Sequence, residues 1–249
     1  MNEGKKKLML LGGLRYLIPV IETAHCLGIY VITVDYIPEN IAHKYSDEYH
    51  NVSILDKDAI LKLAKELKID GIMSFAVDPG VVTAAYVAEK LNLPFQGSYE
   101  SVQILQDKAL FRKFLKDNGF NTPRAKGYDD INRALHESDN WSYPVIVKPV
   151  DSAGSKGVTR VDSSSDLKDA IIIAIEETHS GHFIIEEFIE PLGFSSDSDS
   201  FTVDGNLVFC SFSDQYFDKE AENPYTPSAY SWPSTMPLKY QNKLKSELQ

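Results

Sequence analysis

Residues 143–161 read YPVIVKPVDSAGSKGVTRV, an apolar strand followed by a loop of small residues and a returning antiparallel strand. Lys148 lies in the middle of the apolar run, where burying an ammonium group without a partner would be costly. An anionic ligand would remove that cost. The small residues of 151–157 let backbone N–H groups approach phosphate oxygens closely, and Lys156 adds a positive charge. The stretch therefore predicts a phosphate-covering hairpin, although a lysine that reaches water beside an ordinary hairpin would show the same pattern.

The chain after this hairpin predicts an α+β half. Ser165 can cap a helix over residues 166–178, and an apolar strand over 183–189 ends in the acids Glu186 and Glu187. A carboxylate or carbonyl at such a strand end can accept a hydrogen bond from an exocyclic amine, and a backbone N–H can donate to a ring nitrogen. An adenine edge offers these groups, although two acids at a strand end carry little information by themselves.

The last part of the chain predicts a hairpin, a loop and a final helix. Asp204 and Gly205 supply a two-residue hairpin turn between two short apolar runs. Residues 213–237 are rich in Pro, Tyr and Ser, which is typical of a long loop, and a helix begins near Leu238. The polar run at 195–200 fits either a solvated loop or part of a site.

The first part of the chain alternates short apolar runs with amphipathic segments. Their βαβαβαβ order predicts a parallel sheet with right-handed crossovers, so we expect residues 1–97 to form one Rossmann-like α/β domain. A further helix over 100–118 should end at Gly119. The predicted strands cover residues 7–11, 30–34, 71–75 and 93–95, the predicted helices cover 16–27, 58–67 and 79–91, and the further helix should bury Leu105, Phe111, Phe114 and Leu115.

The composition limits the function classes. The chain has 249 residues with 43% hydrophobic content, enough for a sizeable core in at least two domains. Its formal net charge of -11 argues against nucleic acid as a partner, because proteins that bind nucleic acid usually neutralise phosphates with Lys and Arg. Cys26 and Cys210 lie far apart without metal-ligand neighbours, so neither a disulfide framework nor a zinc site is indicated and a reducing cytoplasm fits best.

The N-terminal residues carry one pattern that a targeting segment would share. Lys5, Lys6 and Lys7 precede an apolar run, as in a signal peptide, but Arg15 interrupts that run early. A buried first strand of a parallel sheet gives the same pattern, and we expect the strand. No segment is apolar over the length that a transmembrane helix needs.

Four motifs follow one another in an order that is more specific than any one of them. They are QDKALFR at 106–112, NGFNTP at 118–123, PVIVKP at 144–149 and EEFI at 186–189. Together they resemble the ATP-grasp family in its carboxylase, carbamoyl-phosphate-synthase-like and glycinamide-ligase-like branches, over nearly the whole chain. The resemblance implies a pre-ATP-grasp Rossmann-like domain over residues 1–97, a linking helix and first ATP-grasp subdomain over 98–189, and the start of a second, incomplete subdomain over 190–249.

The resemblance also implies where ATP would bind. Two lysines would contact its phosphates, a loop would close over them, and the end of the 183–189 strand would hold adenine. Many members bind the ribose with an acid soon after that strand, whereas here Asp197 or Asp199 lies slightly later, so the ribose contact stays open. The implied cofactor-binding residues are Lys108 and Lys148 at the phosphates, Ser155, Lys156 and Gly157 in the loop, and Glu186, Glu187, Phe188 and Ile189 at the adenine.

The same resemblance implies a reaction. In the family, ATP phosphorylates a substrate carboxylate to an acyl phosphate, and an amine or a similar nucleophile then displaces phosphate. ATP and Mg2+ are the implied cofactors, small-molecule carboxylate and amine substrates are the implied partners, and a homodimer is possible. The resemblance places the metal ligands and catalytic residues beyond residue 249, so we expect a C-terminally truncated, inactive fragment that binds nucleotide weakly. Arg15, Asp78 and the segment 214–230 are candidates for substrate contact.

Two other functions fit parts of the pattern. A nicotinamide-dependent oxidoreductase would use Gly12 and Gly13 as a turn and Asp35 as a ribose-binding acid, but the fingerprint lacks its third glycine and leaves Lys148 without a role. A nucleotide-binding or regulatory module that no longer performs ligation would keep the same site residues. His179 and His182 straddle a helix end without acidic or thiol neighbours, so zinc is not expected there.

Overall fold

The computed structural model describes residues 4–95 and 97–249, and the chain divides into two compact units, Met1–Thr122 and Pro123–Gln249. The first unit contains a four-stranded parallel sheet in the order β3-β2-β1-β4. Its elements are β1 (Lys7–Leu11), α1 (Ile18–Cys26), β2 (Tyr30–Asp35), β3 (Glu48–Asn51), α2 (Lys57–Leu67), β4 (Gly71–Met73), α3 (Asp78–Leu91), α4 (Tyr99–Gln106) and α5 (Lys108–Asp117). The expected Rossmann-like parallel sheet is confirmed.

The two faces of this sheet are buried separately, which explains why β1 is apolar throughout. Met9 and Leu11 pack with α2 and α3 on one face, whereas Leu10 packs with α1 on the other. Central strands of a parallel sheet are covered on both faces, so they read as continuous apolar runs rather than as alternating ones. All three side chains have no solvent exposure. The run after Lys7 is therefore a central strand of the sheet.

The predicted fourth strand at residues 93–95 is wrong. These residues have no strand pairing, although Leu93 and Phe95 pack against the core, because apolar side chains can be buried from an irregular segment too. The fourth strand is β3, which pairs with β2 in parallel. Its sequence EYHN is polar and half-buried, as an edge position allows, so it gave no apolar signal.

The predicted helix over 100–118 is two helices that meet at Asp107. The Asp107 carboxylate caps α5 by accepting hydrogen bonds from Ala109 N at 2.8 Å and from Leu110 N at 3.0 Å. Gly119 follows the end of α5 with a φ of +78°, as expected. Leu105 of α4 and Phe114 of α5 were expected to be buried but are 63% and 42% exposed, so this part of the prediction is wrong.

The second unit contains two antiparallel sheets, which confirms the α+β prediction. The first sheet has the order β5-β8-β6-β7, and the second has the order β11-β10-β9. The elements are β5 (Ala125–Tyr128), α6 (Ile131–His136), β6 (Val145–Pro149), β7 (Thr159–Val161), α7 (Leu167–Glu177), β8 (Phe183–Glu187), β9 (Ser195–Val203), β10 (Asn206–Phe217), β11 (Pro227–Ser231) and α8 (Leu238–Leu248). Among the described residues no helix is long and apolar enough to cross a bilayer.

Three local predictions in this unit need correction. Ser165 does not cap α7, because its hydroxyl group bonds to the side chains of Ser163 and Asp166. The polar run at 195–200 belongs to strand β9, and the predicted loop at 213–237 contains the end of β10 and all of β11. The sequence did not predict these strands because their side chains are polar. The strands of a small exposed sheet can pair through their backbones without alternating apolar residues.

Candidate functional site

Lys148 lies in β6, one of the two inner strands of the sheet β5-β8-β6-β7 in the second unit. Because successive side chains of a strand point to opposite faces, Val145 and Val147 enter the apolar core while Lys148 lies on the other face. Strand β8 runs beside β6 and alternates in the same way, with Ile185 in the core and Glu186 on the face of Lys148. The sheet therefore brings a cation and an anion together on its non-core face.

The Lys148 ammonium and the Glu186 carboxylate form an ion pair. Their side chains are only 16% and 7% exposed, so the pair is largely removed from water. The sequence indicated that burying the Lys148 ammonium would be costly, and the Glu186 carboxylate offsets that cost. Removal of either partner would leave a buried charge. The family resemblance implies an adenine contact for Glu186 beside Glu187, and the structure pairs its carboxylate with Lys148.

The end of β8 offers one backbone donor. Glu187 N donates to Arg124 O at 2.8 Å, and Phe188 N donates to Pro144 O at 3.3 Å, so both N–H groups are occupied. No hydrogen bond within residues 4–95 and 97–249 uses the N–H of Ile189, whose side chain is 62% exposed. An exposed backbone donor beside a carboxylate, that of Glu187, matches the edge of an adenine ring.

The loop at residues 151–157, named the glycine loop below, is anchored firmly at its base. The Asp151 carboxylate accepts hydrogen bonds from Thr178 Oγ1 at 2.7 Å, His179 N at 3.1 Å and Ser180 N at 2.8 Å. Burial alone would raise the pKa of Asp151, but these hydrogen bonds outweigh it, and the pKa lies below its ordinary value. Gly157 lies at the other end of the loop.

Gly157 has a φ of +66°, and a Cβ there would lie 3.0 Å from Glu177 Cβ and 3.1 Å from Pro149 Cγ. Both the backbone conformation and the close packing therefore favour glycine at this position. At the tip, the backbone N–H groups of Gly154, Ser155 and Lys156 donate no hydrogen bond to any described residue. Consecutive free N–H groups of this kind can hold an anion.

The remaining predicted residues are divided between the two units. Lys108 is the first residue of α5 in the first unit, whereas the other predicted cofactor-binding residues belong to the second unit. Asp197 and Asp199 are exposed on one face of β9, opposite Ser213 and Ser211 of β10. Among the described residues no group of three or more His, Cys, Asp or Glu could hold a metal ion.

The edge of the parallel sheet gives no support to a nicotinamide site. Asp35, only 5% exposed, accepts hydrogen bonds from Asn40 Nδ2 at 2.6 Å and Tyr36 N at 2.7 Å, so its carboxylate is occupied. A Cβ on Gly13 would meet the His43 ring at 2.5 Å, which shows that Gly13 allows side-chain packing at this turn. The glycine and the acid of the expected fingerprint therefore both serve the fold.

Two groups of residues, in and beside the candidate segment 214–230, make contacts that the sequence did not predict. Asp214 of β10 is 1% exposed and accepts hydrogen bonds from Ser234 Oγ at 2.5 Å and Thr235 Oγ1 at 2.7 Å. Asn223 and Thr226 contact the tip of the glycine loop from a segment about 70 residues away in the chain. Such long-range contacts depend on how the two sheets fold, and no local spacing predicts them.

Comparisons with known proteins find relatives for both units of the chain. Residues 141–249 match the model of the ATP-grasp domain, and residues 21–95 match the model of the ATP-grasp N-terminal domain. The chain is 28% identical to the formate-dependent phosphoribosylglycinamide formyltransferase of Prochlorococcus marinus over 84% of its length, and 28% identical to the carbamoyl phosphate synthase large chain of Thermotoga petrophila over 66% of its length. It spans 54% of the first relative and 15% of the second.

A solved structure shows the same fold across nearly the whole chain. The crystal structure of L-amino acid ligase from Bacillus licheniformis matches with a TM-score of 0.75 and 22% identity, covering 98% of this chain and 58% of that one. The N-terminal match falls on the parallel sheet, and the other match contains Lys148, the glycine loop and the end of β8. The two domain matches, found in the family's order and on its fold, establish that this chain belongs to the ATP-grasp superfamily.

Proposed function

We propose that this chain carries the nucleotide site of an ATP-dependent ligase that joins a small-molecule carboxylate to an amine or a similar nucleophile. The observation that carries the proposal is the buried ion pair of Lys148 with Glu186, three residues before a loop whose tip has free N–H groups. A buried ammonium and converging backbone donors suit a polyphosphate, which offers many acceptor oxygens and negative charge. The relatives' family membership supports adenine as the base.

Each part of the site would hold one part of ATP. Lys148 would exchange part of its contact with Glu186 for phosphate oxygens, and the N–H groups of Ser155 and Lys156 would donate to the same phosphates. The free N–H of Ile189 would donate to a ring nitrogen of adenine, with Glu187 beside it. Lys108 remains a proposed phosphate contact from the first unit. Magnesium is the metal of the proposal, but the described residues offer no cluster for it, and we assign it no step.

The proposed chemistry proceeds through an acyl phosphate. A carboxylate oxygen attacks the γ-phosphorus of ATP, the bond to the β–γ bridging oxygen breaks, and ADP leaves. The amine then attacks the acyl carbon, loses a proton, and phosphate leaves with one oxygen of the original carboxylate. Positioning and charge stabilisation supply most of the catalysis in phosphoryl transfer, so a lysine and a donor loop are the groups that this reaction needs first.

Nucleotide binding can be tested directly. Thermal unfolding of the chain would be followed alone and with ATP and magnesium, ADP and magnesium, or NADH, because a ligand that binds only the folded state raises the unfolding temperature. We expect a shift with the adenine nucleotides and none with NADH. A shift with NADH alone would overturn the proposal and favour an oxidoreductase.

The reaction class needs its own experiment. A panel of carboxylic acids labelled with oxygen-18 in the carboxyl group would be incubated with ATP, magnesium and hydroxylamine, which traps acyl phosphates as hydroxamates. With any acid that yields hydroxamate, we expect labelled phosphate to form in the same reaction. Phosphate that forms without the label would contradict the acyl phosphate. Nucleotide binding without any phosphate release would mean that this chain by itself binds nucleotide and does not perform ligation.

A further inference from the structure

The tip of the glycine loop is fastened to residues 223–226, named the latch segment below. Asn223 Nδ2 donates to Ser155 O at 2.9 Å, and Thr226 Oγ1 donates to Gly154 O at 3.2 Å. In return, Ser155 Oγ donates to Tyr225 O at 2.9 Å. The latch segment precedes β11, so the second sheet of the unit carries the contacts to a loop of the first sheet.

The latch segment is itself built to hold this position. Asn223 Oδ1 accepts a hydrogen bond from Tyr225 N at 3.0 Å, and Thr226 N donates to Asn223 O at 3.3 Å. One asparagine side chain thus closes the local turn with its oxygen while its nitrogen reaches the glycine loop. The only other hydrogen bond that joins the loop tip to a described residue outside the loop runs from Val158 N to Ser155 O at 3.4 Å and closes the local turn.

These contacts fix the direction of two peptide groups. In a trans peptide the carbonyl of one residue and the N–H of the next point in opposite directions. Because Thr226 takes the Gly154 carbonyl, the N–H of Ser155 points away from the latch segment. Because Asn223 takes the Ser155 carbonyl, the N–H of Lys156 also points away from it. The latch segment therefore occupies the acceptors of the tip and leaves its donors free.

The backbone at the tip needs such support. Ser155 has a φ of +57°, an uncommon conformation for a residue with a side chain, and Gly154 beside it has a φ of +67°. A non-glycine residue keeps this conformation only when its surroundings impose it. Three hydrogen bonds to the latch segment and the turn bond from Val158 N to Ser155 O hold it here, and without the three latch bonds we expect the N–H groups of the tip to change direction.

We propose that Asn223 and Thr226 are positioning residues that orient the glycine loop so that its N–H groups meet phosphate oxygens. This inference rests on the proposed ATP site. Neither side chain needs to touch the nucleotide, because each acts through a carbonyl of the loop. The latch thus makes the phosphate affinity of a loop on one sheet depend on a segment carried by the other sheet.

The test uses a double variant, Asn223→Ala with Thr226→Val, which removes both donors. The matched controls are Thr226→Ser, which keeps the hydroxyl group, and Glu222→Gln, which changes an exposed neighbour. The first readout is trypsin cleavage after Lys156, which is exposed, compared with cleavage elsewhere in the chain. We expect the double variant to be cleaved after Lys156 several-fold faster, with no change at other sites and none in the controls.

The second readout compares the affinity for ADP with the affinity for adenosine, which lacks phosphates. Two hydrogen bonds at about 1 kcal/mol each correspond to roughly thirtyfold weaker binding of ADP, while adenosine binding should not change. Unchanged cleavage after Lys156 would show that the latch does not hold the loop. Faster cleavage with unchanged ADP affinity would show that holding the loop does not position donors for phosphate.

The two proposals fail in different ways. If the unmodified chain binds neither ADP nor adenosine, the proposed ATP site and the positioning role are both overturned, while selective cleavage after Lys156 would still establish the fastening. If the unmodified chain binds ADP and the double variant loses ADP and adenosine equally, the site stands but the positioning role is overturned. A general rise in cleavage along the chain would mean that the segment supports the fold rather than the loop.

Discussion

The ammonium of Lys148 is paired with the carboxylate of Glu186, on neighbouring strands and on the face of the sheet that the apolar core does not use. The pair keeps a positive charge in a place where water is largely excluded. A nucleotide arriving there would compete with Glu186 for the same ammonium, so the acid would tune how strongly the lysine binds phosphate. The pair therefore serves both the stability of the fold and the proposed site.

Removing Lys148 should abolish nucleotide affinity. We expect Lys148→Ala to eliminate the thermal shift that ADP produces, because the phosphates lose their buried cation. Glu187→Ala should weaken binding less, since the adenine contact at this strand end can use the backbone. Calorimetric titration of both variants with ADP would measure the difference. Equal affinity in the two variants and in the unmodified chain would contradict the site assignment.

Breaking the ion pair should cost more stability than removing it entirely. Glu186→Gln leaves a buried ammonium without its counter-charge, and the loss of one partner of a buried pair costs about 3–5 kcal/mol. The double variant Lys148→Met with Glu186→Leu leaves no charge and should recover most of that loss. Urea unfolding of the single and double variants would give both free energies. A double variant less stable than Glu186→Gln would contradict this expectation.

Two glycines of the same loop provide a matched comparison. Gly154 and Gly157 have φ values of +67° and +66°, but a Cβ meets nothing within 4 Å at Gly154 and crowds Glu177 and Pro149 at Gly157. Each alanine substitution should cost about 1–2 kcal/mol for its backbone conformation. Gly157→Ala should be the less stable variant because of the added crowding. Equal unfolding temperatures would show that the base of the loop adjusts without cost.

The anchor at Asp151 predicts a pH dependence. Its folded pKa lies below the unfolded value of about 3.9, so the ionised carboxylate stabilises the folded chain above that pH. This stabilisation is lost as the pH falls through the folded pKa. We expect Asp151→Asn to reduce the free energy of unfolding at pH 7. Below pH 4, the free energy of unfolding should fall less with decreasing pH in this variant than in the unmodified chain. Urea unfolding of the variant and the unmodified chain across that pH range would test this. If the free energy of unfolding changes with pH in the same way in both, Asp151 does not have this stabilising role.

The buried carboxylate of Asp214 joins strand β10 to the segment that follows β11. Asp214 accepts hydrogen bonds from Ser234 and Thr235, and these bonds lower its pKa despite its burial. Asp214→Asn should lower the unfolding temperature, because hydrogen bonds to a charged acceptor are stronger than those to an amide. Asp199→Asn, an exposed position on the same sheet, is the control. Similar unfolding temperatures for the two variants would contradict this role.

Apolar patterning predicted the elements that bury a face. The strands at β1, β2, β6 and β8 carry continuous or alternating apolar residues, and the helix after Pro79 and the Asp204 to Gly205 turn follow from equally local signals. The strands that were missed are β3, β5, β11 and the polar first part of β9, which carry few aliphatic residues. Their strand character comes from backbone pairing with a neighbour, which leaves no apolar period in the sequence.

The sequence by itself determined the α/β and α+β halves, the lysine within an apolar strand, the glycine loop and the pair of acids, because each follows from residue type and local spacing. Tertiary structure alone decided that Glu186 faces Lys148, that the Ile189 N–H is left free, and that Asn223 and Thr226 reach the loop. These relations join residues 38 to 72 positions apart. Strand register and sheet packing set such distances, and neither is encoded in any short stretch of residues.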